Sequence, residues 1–279
     1  MLRAYETFLW LLSRPAFYGL WLWVRRLSSH ALSMSSAARL PCHRTGEQLA
    51  LEQVLAAGRT DETLVILDVG ANLGHYAALC VSRIASRAVP YELHCFEPSS
   101  GTADALEISL RGNPHVQVHR TGMGRAPGEA TLYAPWATCG AASSNPELGT
   151  LFPGGYSGAI EEEPFRIDTV DDFLVRHNIQ SVHLLKIDVE GMEFDVIEGA
   201  RKSIAAGQIR FIQFEISGAT MLNRFYLRDF WRELSDRYTF HLVMHQGLKL
   251  IPDYTPHLEC FAGAANYLLE LKPQGRAVG

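Results

Sequence analysis

The sequence predicts an α/β protein with an open, mostly parallel sheet, helices on both faces and a helical appendage at the amino terminus. Three observations carry this reading. From about Thr63 onward, apolar runs of strand length alternate with segments of helical periodicity, the pattern of parallel βαβ units. Several of the strand-length runs are apolar at every position, as in strands covered on both faces. Third, 47% of residues are apolar and 20% charged, which excludes a wholly disordered, collagen-like or disulfide-scaffold chain. The 279 residues fit one large domain or two small ones.

The chain divides into residues 1–45, an appendage and linker, and residues 46–279, the main domain. The first apolar block, Phe8 to Val24, is interrupted by Arg14 and Pro15. A spanning helix needs about 20 mostly apolar residues, and a mid-span Arg costs roughly 2.5–3.5 kcal/mol. The same Arg breaks a signal-peptide core, and no small-x-small cleavage site follows. Arg3, Arg14 and Arg25 recur at a spacing of about three helical turns and would share one face, with Trp10 and Trp21 on another. Dense Trp and Arg suit the plane of a bilayer interface. Packing on the body or on a partner is the rival reading, and a true span is a third. Residues 28–45 are Ser/Ala-rich and read as a linker.

Glu47 to Ala57 is a short helix candidate. Leu64–Val69 (LVILDV) is a buried strand, followed by Leu73, Ala77, Cys80, Val81 and Ile84 at helical spacing. Leu93–Phe96, Val116–His119 and Val182–Ile187 are further strands, as is Ile209–Glu215, with Ala130–Tyr133 an optional extra. Thr102–Leu110 is a helix; Val196, Ile197, Ala200 and Ile204 mark another, and Phe225–Leu234 a third. Phe240–Met244 and Phe261–Leu268 close the chain as strands. The stretch Pro135 to Pro164 is rich in Gly and Pro and reads as a long loop, either a substrate lid or an unstructured insert.

The formal net charge is −5, which argues against general nucleic-acid binding. Residues 1–45 run against this balance, with Arg3, Arg14, Arg25, Arg26, Arg39 and Arg44 facing Glu6 alone. The five cysteines include no C-x-x-C pair; reduced thiols in a cytoplasmic setting are the simplest reading.

In an open α/β sheet, ligands bind at the carboxyl ends of the strands. Asp68-Val-Gly70-Ala71-Asn72-Leu-Gly74 follows a strand and opens a helix. Its glycines permit a sharp turn and close approach of a ligand, and the helix amino terminus presents free N–H groups. Glu97, at the end of the next strand and before Pro98, lies 23 residues after Gly74, where an acidic residue meets ribose hydroxyls. The third strand end is Lys186-Ile-Asp188-Val-Glu190-Gly191, with Glu193 and Asp195 nearby. Lys186 and Asp188 lie on one side of a strand. Four acids so close can raise one pKa for base duty, or they can simply cap a helix.

These three motifs, with Phe96-Glu97-Pro98, Gly199-Ala200 and Ile212-Gln-Phe-Glu215, resemble the FkbM family of S-adenosylmethionine-dependent methyltransferases over roughly Leu64 to Leu269. The resemblance implies a class I methyltransferase (Rossmann-like) fold of seven strands, one antiparallel. It implies that Asp68, Gly70, Ala71, Asn72 and Gly74 line the methionine part of S-adenosyl-L-methionine. Glu97 and Pro98 would then hold the ribose, and Gly122-Met123 would flank the adenine; Gly122-Met-Gly124 is more glycine-rich than the family pattern. Family members are mostly O-methyltransferases acting on sugar hydroxyls or natural products, which implies a small-molecule, glycan or glycolipid acceptor.

An alcohol is a weak nucleophile, so a general base or a metal helps. Asp188 (itself also beside the cofactor) and Glu190 are the first candidates for the base, with Lys186 orienting Asp188. His75, in the first helical turn, is the second choice. Asp188 and Glu215, ending neighbouring strands, form an alternative Mg²⁺ site. His183 points away from Lys186 and reads as structural. A nicotinamide-dependent oxidoreductase is disfavoured because Asn72 stands where the second glycine of G-x-G-x-x-G belongs. A catalytically silent binding module with the same fold is the other rival. The basic appendage suggests peripheral contact, through residues 8–26, with the inner face of a membrane.

Overall fold

A computed structural model describes Glu6, Trp10 and residues 12–34, 45–58, 62–87, 89–135, 160–259 and 263–273. After a 3-10 turn at Pro15–Phe17, helix α1 spans Tyr18–Ala31 and α2 spans Glu47–Ala57. The βα alternation follows: β1 (Leu64–Val69), α3 (His75–Ala85), β2 (Tyr91–Phe96), α4 (Ser100–Ser109) and β3 (Val116–His119). A side excursion holds β4 (Gly122–Met123), β5 (Gly128–Pro135) and β6 (Ile160–Asp168). The alternation resumes with α5 (Val170–Arg176), β7 (Val182–Ile187), α6 (Glu193–Gly199), α7 (Arg201–Ala205) and β8 (Ile209–Ser217). The remainder is α8 (Gly218–Leu222), α9 (Leu227–Leu234), β9 (Tyr238–Met244), β10 (Gly247–Ile251) and β11 (Ala264–Leu271).

The main sheet runs β10-β9-β11-β8-β7-β1-β2-β3. It therefore has eight strands, one more than the seven expected. The addition is β10, which pairs antiparallel with β9. β11 is antiparallel to both β8 and β9, so β9 runs in the same direction as β8 and the parallel strands. The carboxyl ends of β1, β2, β3, β7, β8 and β9 consequently share one edge. This order, with the chain switching direction beside β1, is the class I methyltransferase arrangement, and it opens a crevice at that edge.

β1 and β7 are buried at every position, as continuous apolar runs demand. One face of the sheet packs Ile66, Leu93, Leu184 and Phe211 against α2 and α3, through Leu51, Val54, Ala77 and Cys80. The other packs Leu67, Phe96, Leu185 and Phe214 against α5, α6 and α9, through Phe173, Ile197 and Phe230. Cys80 and Cys95 are buried free thiols.

Three expectations change. The Pro135–Pro164 loop is shorter than expected, because its two ends are strand: Pro135 closes β5 and pairs with Ile160 of β6. Residues 136–159, which carry the lid reading and Cys139, lie outside the described residues. Arg14 does not continue a helix. Its ψ of 141° is extended, and Pro15 opens the 3-10 turn, so Arg14 and Arg25 do not share one helical face; Arg3 lies outside the described residues. The linker begins later than residue 28, since Ser28–Ala31 complete α1 and Ser33 and Met34 are buried. No described helix is long and apolar enough to cross a membrane.

Candidate active site

Strand register brings the charged groups together. Asp68 of β1 sits opposite Lys186 of β7, and Lys186 opposite Gln213 of β8. One residue pair further toward the edge, Glu215 of β8 faces Asn266 of β11, and Asn266 Nδ2 donates to Glu215 Oε2 at 3.3 Å. The result is a polar row crossing the sheet beneath the edge formed by the strand carboxyl ends.

Lys186 is the centre of this row. Its Nζ donates to Asp188 Oδ2 at 3.2 Å, lies 3.6 Å from Asp68 Oδ1, and sits 5.0 Å over the Tyr76 ring. Burial opposes its charge, but Asp188, Asp68 and Glu47 outweigh burial and hold its pKa above the ordinary lysine value. Asp68 is completely buried and neither of its oxygens accepts a hydrogen bond. Burial raises its pKa and Lys186 pulls it back. The Asp188 side chain is 40% exposed, so a ligand can reach it.

The 68–74 turn packs directly on the Asp188 loop. Gly70 has φ +81°, and a Cβ there would lie 1.8 Å from the Asp188 carbonyl oxygen, so only glycine fits. Asp188 N–H donates to the Val69 carbonyl at 2.9 Å. Asn72 (φ 49°) and Gly74 (φ 83°) complete the turn, and Ala71 is buried. Glu97 closes the far side. Its carboxylate accepts from Asn72 N–H at 3.0 Å and Ser99 N–H at 2.9 Å, one per oxygen. Burial nonetheless pushes it up to about 7. Pro98 follows, half-buried.

The acids after Asp188 divide by role. Glu190 is exposed in the left-handed region, at φ 52°. Glu193 is buried and ties the loop, accepting from Gly191 N–H at 2.9 Å and from the Thr220 hydroxyl at 3.1 Å. Burial pushes it up to about 7. Asp195 pairs with Arg125 at 3.1 Å. Glu193 and Asp195 are therefore structural acids. Burial and then Asp188 and Glu190 raise the pKa of Glu215 well above the ordinary glutamate value. Asp188 and Glu215 thus do share a neighbourhood, as the Mg²⁺ alternative required. Lys186 already neutralises Asp188, and no set of three or more metal-ligating side chains is grouped among the described residues.

Two expected site residues, Gly122 and Met123, lie outside this cluster. Met123 packs in the core, and Gly122 faces the Phe165 ring so closely that a Cβ would meet it at 2.6 Å. His75 is exposed at the start of α3. His183 is structural, as expected: its Nδ1 accepts from Val65 N–H at 3.1 Å, and its Nε2 lies 3.5 Å from Glu62.

Glu47 was not singled out by its sequence context. It is buried at the start of α2 and accepts from the Thr45 hydroxyl at 2.8 Å. Burial raises its pKa and Lys186 lowers it, so it belongs to the same charged cluster. An acid in a first helical turn reads as an ordinary complement to the helix dipole; the helix it opens packs on β9 and β10, which lie far along the chain.

Residues 68–242 match the methyltransferase FkbM domain. Methyltransferase 1 of Beauveria bassiana is 24% identical over 180 residues, covering 58% of this chain and 69% of that protein. Hexuronic acid methyltransferase AglP of Haloferax volcanii is 26% identical over 174 residues, covering 61% of this chain and 62% of that protein. The crystal structure of an FkbM methyltransferase from Methylobacillus flagellatus superposes with a TM-score of 0.47 at 17% identity, over 76% of this chain and 45% of that one. The chain thus spans under two thirds of the second relative and under half of the third. With the domain match covering well over half of its residues, the chain belongs to the FkbM methyltransferase family.

Proposed function

We propose that this chain is an S-adenosylmethionine-dependent O-methyltransferase acting on a hydroxyl of a sugar or glycan. One observation carries the reading: the glycine turn, the ribose-type acid Glu97 and the reachable Asp188 meet at one edge of the sheet. The hexuronic acid methyltransferase relative supports a sugar as acceptor.

The residues present suit the cofactor. Asp68 carries buried carboxylate oxygens without a donor, which suits a ligand rich in N–H groups. In this reading Asp68, Gly70, Ala71, Asn72 and Gly74 hold the methionine part, Glu97 and Pro98 the ribose, and Gly122 and Met123 border the adenine. When bound, S-adenosylmethionine supplies a methyl group carried on a sulfonium, open to in-line displacement by oxygen.

The chain's own residues position the acceptor and take its proton. Asp188 accepts the hydroxyl proton, and Lys186 fixes the orientation of that carboxylate. Glu190 and His75, both exposed at the same rim, are the remaining candidates for the base. Glu215, whose pKa is raised by burial and by Asp188, neighbours that base.

The test is a calorimetric titration with S-adenosylmethionine, run with Mg²⁺ and again with EDTA. Micromolar binding is expected, weakened about 10- to 100-fold in Asp68→Asn. Asp188→Asn is expected to keep that binding and lose about 10²- to 10⁴-fold in turnover of a uronic-acid acceptor. Absence of binding by folded protein would sink the proposal, and loss of binding in EDTA would revive the Asp188/Glu215 cation.

A further inference from the structure

Helix α1 stands apart from the packing that holds the rest of the chain. None of its residues is buried. Leu20, Trp23, Val24 and Leu27 follow the i, i+3, i+4, i+7 spacing that makes one continuous apolar stripe. Each is between 38% and 60% exposed. The half-buried positions Leu22 and Ser29 lie on the opposite side of the helix. The apolar stripe therefore points away from the protein body, the reverse of an ordinary surface helix. At roughly 1.5 Å per residue, the helix is about 21 Å long.

The root of the helix is as informative as its stripe. Ser33 Oγ accepts from His245 N–H at 2.9 Å, the His30 and His245 rings lie 5.3 Å apart, and Met34 enters the core. His245 follows β9, whose carboxyl end shares the catalytic edge with β1, β7 and β8. Gly46, just before α2, packs so tightly on the Met244 carbonyl that a Cβ would lie 2.3 Å away. The appendage thus leaves the body on both sides of one turn, at the rim of the candidate site.

We propose that α1 lies in the plane of an anionic membrane surface and turns the catalytic edge of the sheet toward the bilayer. The occupant follows from charge as well as apolarity. Between Glu6 and Glu47 the sequence has no Asp or Glu, while Arg14 precedes the helix and Arg25 and Arg26 lie within it, off the stripe. A protein partner of ordinary composition has no need of that one-signed surround, whereas anionic headgroups are drawn to it. Trp21 and Trp23 add side chains that favour the headgroup region. If the methyltransferase reading holds, on which this last step rests, the acceptor is a hydroxyl compound carried at the membrane surface, such as a sugar borne on a lipid.

The experiment uses the full chain and vesicles of phosphatidylcholine with or without phosphatidylglycerol. The wild type is expected to float with the anionic vesicles and to be released by salt. Trp23→Ser/Leu27→Ser is expected to bind about tenfold more weakly, with cofactor titration in the absence of vesicles unchanged. Hydrogen exchange on the unmodified protein is expected to show vesicle protection in 18–31 and in the 244–247 turn, but not at 178–182 on the opposite edge. Equal flotation of wild type and variant overturns the proposal, as does protection at 178–182 instead of 244–247. A wild-type dimer in light scattering that the double substitution dissociates also overturns it, by assigning the stripe to a second copy. Cofactor binding is read separately, so failure of the methyltransferase reading leaves the membrane result intact.

Discussion

The two faces of the main sheet each bury a cluster of titratable side chains, and they handle charge in opposite ways. On the face covered by α2 and α3, Asp68, Glu47 and Asp188 surround Lys186. On the face covered by α5, His94 and His119 stack at 5.4 Å and touch ring nitrogens at 3.2 Å, against Phe96 and Phe173, with His177 at the margin. Burial pushes both His94 and His119 down to about 4, so at neutral pH that cluster is uncharged. Histidine loses its charge at little cost when buried among rings. A lysine among carboxylates keeps its charge, because each carboxylate it leaves would be a buried anion. The charged cluster sits beside the glycine turn and the Asp188 loop that packs on it. A buried cluster becomes available for chemistry when its charges neutralise one another rather than disappear.

Removing the central cation is the severest way to break this contrast. Lys186→Met leaves Asp68, Asp188 and Glu47 without a counter-charge, and a broken buried pair costs about 3–5 kcal/mol. Urea denaturation is expected to show a loss of that size at pH 7. The loss should shrink at lower pH, where the stranded carboxylates take up protons. An unchanged midpoint at pH 7 would show that the cluster is held by packing alone.

Glu97→Gln is expected to act on binding more than on folding. The carboxylate already takes two backbone donors, and a ribose hydroxyl would add a third to its anionic form. Because Glu97 is pushed up to about 7, a donor-bearing ligand should bind more weakly as pH falls through 7. Calorimetry should show cofactor affinity declining from pH 8 to 6 in the wild type. In the variant it should be about 10- to 100-fold weaker and nearly flat with pH. A wild-type affinity that is flat over this range would remove Glu97 from the ribose role.

How much of this was legible in the residues follows from how local each signal is. LVILDV and VHLLKI are strands at the expected bounds, 64–69 and 182–187, because strands covered on both faces leave an apolar run. The Gly70 turn was legible for the same reason: its geometry is a property of a few adjacent residues. β6 was not. IEEEPFRID hides its alternation behind three glutamates and a proline, since this strand belongs to a small, partly solvated sheet. Glu47 and the division of labour between Asp188 and Glu193 were illegible in the sequence, because burial there depends on sheet order. Nothing within Leu185–Asp195 says that Glu193 will turn inward to meet Thr220 of α8. The stripe on α1 was visible as composition, but its direction, away from the body, is a fact of three dimensions.

The smallest expected effect concerns the neutral face. The folded-state pKa of His94 and His119 is below the unfolded value of about 6.5, so between roughly pH 6.5 and 4 the unfolded chain binds more protons. Stability therefore rises with pH across this window; the contribution is intact above 6.5 and is lost as pH falls toward 4. Other groups face the pair: Glu92 lies 3.7 Å from His94 Nε2, Asp168 raises and His177 lowers the pKa of His119, and Arg176 engages Asp168. The carboxyls of Glu97 and Glu193, both near 7, titrate in the opposite sense, so the wild-type curve alone does not isolate the histidines. His94→Phe/His119→Phe keeps the ring packing and removes both protonation sites. Because the pair is partly screened at its margin, its share between pH 7 and 5 is about 2 kcal/mol rather than the full shift. Denaturation at both pH values should show the double variant gaining that much on the wild type at pH 5. Parallel curves would mean that the two rings take up protons in the folded protein as readily as in the unfolded chain, and the contrast between the two faces would then rest on Lys186 alone.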